Sequence, residues 1–137
     1  MKVSIIVKQV ALCISLLLII LASTACSEKP VNADEITRNV LQAVMEGNYT
    51  KYISYYHGDI RWGIGSEQDF DAEVAAIKDE LGEYETNSLK YWKTEKENSL
   101  ISVFYKAKFT KDLEVTVKSV FREVIGKTQL VGFWLNP

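Results

Sequence analysis

The hydrophobic pattern of this chain changes period once, near Tyr84, and that change limits the fold more than any other feature of the 137 residues. Before it, apolar side chains recur at helical spacing; after it, they alternate. Ile36, Val40, Leu41, Val44 and Met45 place a helix over 33–46, with Asn32 as a cap that Glu35 can reach and Gly47 as the stop. Tyr49, Tyr52, Ile53 and Tyr56 form a second stripe behind the cap Asn48. A turn at His57-Gly-Asp59 and a glycine-bearing loop over 60–65 lead to a third helix over 66–81. Phe70, Val74, Ile77 and Leu81 are its buried stripe, and Glu67, Asp69, Asp71 and Glu73 crowd its positive end.

Four strands follow, over 84–93, 100–109, 113–124 and 128–135. Ile101, Val103, Tyr105, Ala107 and Phe109 share one face, as do Leu113, Val115, Val117, Ser119 and Phe121. The connections at 95–98, 110–112 and 125–127 are short enough for antiparallel hairpins. Helices followed by hairpins predict an α+β fold, with N-terminal helices packed on a curved antiparallel four-stranded sheet. The other sheet face carries Phe104, Val120 and Trp92 and is only partly polar. It is a surface on which a homodimer could form through the sheet.

The first 26 residues follow other rules. They contain Lys2 and Lys8, no acid, and a thirteen-residue apolar run from Val10 to Ala22. As a helix that run spans about 20 Å, short of the about 30 Å of a bilayer core. A positive start, a short apolar run and small residues after it describe a secretory signal. The ending Leu21-Ala-Ser-Thr-Ala-Cys26 resembles a bacterial lipobox, with Ser23 where an aliphatic residue is more common. The resemblance implies a lipoprotein signal peptide over 1–25, a lipidated tether over 26–32 and a domain over 33–137. Cys26 would carry acyl chains such as palmitate and anchor the domain outside the cytoplasm, on the cell membrane or outer membrane of a bacterium. Each buried CH₂ contributes about 0.8 kcal/mol, so several chains hold a domain stably. Cys13 would leave with the signal, so no disulfide is expected.

Beyond residue 26 the chain has 14 basic and 18 acidic side chains. That balance argues against a nucleic-acid partner and predicts a domain that stands off an anionic surface. Two cysteines and one histidine exclude a zinc finger, and no metal or cofactor is expected. No phosphate loop, dinucleotide fingerprint or nucleophile elbow occurs.

Glu46-Gly-Asn-Tyr49, Leu81-Gly-Glu-Tyr84 and the closing Val124-Ile-Gly-Lys-Thr-Gln-Leu-Val-Gly-Phe-Trp-Leu135 together resemble small secreted domains of unknown function with the nuclear transport factor 2-like, cystatin-like fold. The resemblance covers roughly 34–137 and implies a cone of curved sheet around helices, open at one end. Some proteins of that fold are isomerases or dehydratases and many are not catalytic, so fold alone does not choose.

Few residues offer chemistry. His57 and Asp59 are the one acid/base pair that includes histidine, and a cofactor-free isomerase or dehydratase would use them with a tyrosine donor. Their setting reads as a solvated turn. Tyr52, Tyr56 and Trp62 are the candidates to line a ligand cavity. The leading expectation is a non-catalytic, membrane-tethered module that binds a small apolar ligand or an envelope protein.

Overall fold

The computed structural model describes residues 28–137; the expected signal peptide and Cys26 lie outside them. Helices α1 (Ala33–Glu46), α2 (Tyr49–Ser54), α3 (Gly58–Arg61) and α4 (Glu67–Leu81) precede strands β1 (Lys90–Glu97), β2 (Leu100–Ala107), β3 (Val115–Val124) and β4 (Lys127–Asn136). The strands form one antiparallel meander in the order β1-β2-β3-β4. This is the α+β class expected from the change of period.

The helices cover one sheet face. Ile101, Val103, Tyr105 and Ala107 of β2, Val115, Val117 and Phe121 of β3 and Leu130 of β4 pack with Ala33, Val40 and Leu41 of α1. Val44, Phe70 and Val74 form a smaller cluster where α1 meets α4. Among the described residues, every member of both clusters lies between Ala33 and Leu135, so a fragment beginning at Cys26 keeps each core contact found among them.

Several local expectations change. The Asn32 side chain makes no cap hydrogen bond; its backbone carbonyl accepts from Ile36 N instead. Residues 58–61, expected in a turn and loop, form the single-turn helix α3. The first strand begins at Lys90, not Tyr84, and runs through the charged stretch to Glu97. Pairing of Glu95, Lys96 and Glu97 with Ser102, Ile101 and Leu100 holds that edge through backbone hydrogen bonds, with no apolar pattern to reveal it. Leu113 lies outside β3 and is exposed.

Two β-bulges interrupt the alternation. Tyr91 and Lys93 oppose Tyr105 and Phe104, which leaves Trp92 as the extra residue. Gly132 and Leu130 oppose Val120 and Phe121, which leaves Val131. An extra residue bends its strand and re-aims the side chains beyond it.

Candidate functional site

A cavity of about 110 Å³ lies between the helices and β4. Val44 of α1, Tyr52 of α2, Phe70, Val74 and Ile77 of α4 and Phe133 of β4 supply its apolar wall. The stripes that build α1 and α4 turn these residues inward, and the Val131 bulge sets Phe133 on the core side. The Tyr52 ring stacks 4.9 Å from Phe70, centroid to centroid. Its hydroxyl shares a 2.9 Å hydrogen bond with the hydroxyl of Tyr56.

Burial pushes the Tyr52 phenol above its usual pKa, and the charge of Glu73 adds to that, against the opposing hydrogen bond from Tyr56. Tyr56 is driven up further, by burial first and then by Tyr52. Both phenols are therefore neutral at physiological pH. They can donate or accept a hydrogen bond, and they carry no charge. Glu73 is the one carboxylate at the cavity and is exposed.

The candidates from the sequence divide in space. Tyr52 lines the cavity, and Tyr56, itself buried, reaches it through the hydroxyl pair. Trp62 does not line it: its side chain stands 92% exposed beyond α3. The helical turn Gly58–Arg61 and Gly63 carry it past the end of the core.

His57 and Asp59 contact each other on the surface, and Arg122 of β3 donates to Asp59 at 3.1 Å. Hydrogen bonds from His57 and Arg122 hold the Asp59 carboxyl below its usual pKa, the opposite of what a general base near neutrality needs. Neither residue lines the cavity.

A second arrangement occupies the sheet face away from the helices. Lys93, Phe104, Lys118 and Trp134 are successive cross-strand partners on β1, β2, β3 and β4. The ammonium of Lys93 sits 4.7 Å from the Phe104 ring centre, and that of Lys118 lies 5.5 Å from both Phe104 and Trp134. The bulge brings Trp92 beside them, 6.3 Å edge-on from Phe104, with Lys106 at 4.7 Å from its ring. Trp134 lies over Gly132, where a β-carbon would come within 2.1 Å of the indole. The strand glycine is the indole's seat.

The sequence placed Phe104, Val120 and Trp92 on this face but did not join Trp134 to them, because the tryptophans are 42 positions apart and only the pairing register connects them. Among the described residues, no group of three His, Cys, Asp or Glu could hold a metal ion. No helix among them is long and apolar enough to cross a membrane.

No family model and no curated protein matches this chain. Among solved structures, a designed chain named Rd1NTF2_05, carrying five substitutions, is similar at 14% identity and a TM-score of 0.49, covering 77% of this chain and 96% of that one.

Proposed function

We propose that this protein is a lipid-anchored module of the bacterial envelope, and that its cavity binds one apolar group without transforming it. The observation that supports the reading is the cavity's chemistry: mostly apolar walls, with the neutral Tyr52 phenol, paired to Tyr56, and the exposed Glu73 carboxylate as its polar groups. Whole small-molecule ligands occupy roughly 300–1,000 Å³. A cavity of about 110 Å³ takes only a ring or a branched alkyl end. The occupant is therefore the tip of a larger ligand or an apolar side chain of an envelope protein. Anchoring rests on the lipobox-like ending at Cys26.

Two measurements test the two parts. Benzene titrated into the 26–137 fragment should shift the methyl resonances of Val44, Val74 and Ile77, and Val74→Trp should abolish the shifts while the fold melts no lower. Unmoved methyls at millimolar benzene would refute the binding site. Mass spectrometry of the chain extracted from membranes should find an acylated Cys26 as the first residue; an intact Met1 start would refute the anchor.

A further inference from the structure

We propose that the outer face of the sheet, at its Lys90 corner, docks flat on an anionic phospholipid bilayer. Four observations converge on it.

The first is charge. The chain beyond residue 26 is acidic overall, which alone predicts repulsion from such a surface, but the charge is segregated. The four helices hold ten of its acidic side chains against four basic ones. Lys90, Lys93, Lys106, Lys108 and Lys118 project from the outer side of the sheet, accompanied by Glu95 on Lys93 and Glu114 on Lys106. A body so polarised turns its basic side toward an anionic plane.

Second, Lys90 and Lys106 are direct cross-strand partners. Like charges directly opposite one another destabilise a sheet, and phosphate groups lying between them would relieve that.

The side-chain chemistry is that of a bilayer interface. Trp92 and Trp134 are each half exposed, Leu113 more so, and lysine ammonium groups stand over both indole rings. Tryptophan and lysine together are what the headgroup region selects. Trp92, Leu113, Lys90, Lys106 and Lys108 line one open groove at this corner.

The last is where the chain leaves the domain. Lys29 is fastened at the same end of β1, on the helix side of the sheet, its ammonium 4.7 Å from the Tyr91 ring and 2.6 Å from Asp34. Only Ser27 and Glu28 lie between it and Cys26, three Cα steps, so an acylated cysteine would hold the bilayer within about 11 Å of Lys29, at this end of β1. This part rests on the anchor proposed above; the other three do not. A second copy fits the face less well, because a two-fold pairing would set lysines against lysines.

The test uses the 26–137 fragment under reducing conditions, without acyl chains, on vesicles of phosphatidylcholine with and without one third phosphatidylglycerol. The fragment should co-sediment with the anionic vesicles alone, release as salt rises, and show a blue-shifted tryptophan emission that Trp92→Phe diminishes. Combined Lys90→Glu, Lys106→Glu and Lys108→Glu should weaken binding at least about tenfold. The corresponding glutamine triple provides the same reading should the glutamate triple fold poorly. Equal binding to neutral vesicles, no binding, retention on dextran sulfate alone, or self-association that the triple abolishes would each overturn the proposal. Because the fragment carries no lipid, vesicle binding with an unacylated Cys26 in cells would leave the docking face standing and remove only the anchor.

Discussion

The hydroxyl of Thr37 in α1 donates to the hydroxyl of Ser119 in β3 at 2.8 Å, and both side chains are fully buried. It is a polar pin between the helix layer and the sheet, set among Val40, Val103 and Val117. Removing one partner leaves the other's hydroxyl buried without its bond, at about 1–3 kcal/mol. Thr37→Val and Ser119→Ala should each lower stability by that order in urea unfolding. The double variant should recover part of the loss, giving a measurable coupling energy in the cycle.

Gly47 and Gly82 both take a positive φ, at +65° and +78°, yet they differ in surroundings. A β-carbon on Gly47 meets nothing within 4 Å, so Gly47→Ala should cost only the left-handed conformation, about 1 kcal/mol. On Gly82 it would lie 2.1 Å from Thr110 Oγ1, the atom that accepts from Glu83 N. Gly82→Ala must move Thr110 and lose that bond, and should cost at least about twice as much. The Gly82 ψ of −148° also lies outside the left-handed region that Gly47 occupies at 29°, so thermal melts of the two variants should rank Gly82→Ala well below Gly47→Ala.

The fold class and core faces were legible in the sequence because they rest on periodicity. Ile101 through Phe109 alternate as read and are buried as read. What escaped was whatever depends on backbone pairing. The edge β1 has no apolar face over Glu95–Glu97, and the bulges at Trp92 and Val131 shift the alternation by one residue without any change of composition. The same gap explains the candidate site. Tyr52 and Tyr56 stand at helical spacing and were visible as a pair, although α2 ends at Ser54 and Tyr56 bridges to Leu130, whereas Phe133 joins their cavity only because of the bulge two residues before it.

Ile125 occupies φ +49° at the tip of the β3–β4 hairpin, next to Gly126 at +71°, and is 98% exposed. Two consecutive positive values are those of a type I′ turn, which favours Asn-Gly. A β-branched residue there carries strain of about 1–2 kcal/mol with no packing to offset it. Ile125→Asn should therefore raise the melting temperature by a few degrees, and an unchanged or lower value would show that this strain is not stored at the turn.

The Asp34 carboxyl accepts from Tyr105 Oη at 2.9 Å and from Lys29 Nζ at 2.6 Å. Burial pushes its pKa up, but the bonds from Lys29 and Tyr105 outweigh this and hold it below the usual carboxylate value. A depressed folded pKa stabilises above the unfolded value near 3.9 and is lost as pH falls through the folded one. Stability should fall on acidification below about pH 4, and Asp34→Asn should flatten that limb, as read by urea midpoints across the acid range.

Three phenols set the alkaline limit. Tyr52, Tyr56 and Tyr105 are all held above the usual tyrosine pKa, chiefly by burial, and Tyr105 also by the nearby Asp34 carboxylate. A raised folded pKa contributes stability that is fully present below the unfolded value near 10 and declines as pH climbs past it. The native state thus keeps three protons that the unfolded chain releases. Absorbance titration at alkaline pH should show Tyr52, Tyr56 and Tyr105 ionising only on unfolding. The Tyr52→Phe and Tyr56→Phe pair should then leave one late phenol, Tyr105, and soften the fall of stability above pH 10. Ionisation of Tyr52 and Tyr56 without loss of structure would instead mean that water enters their cavity freely.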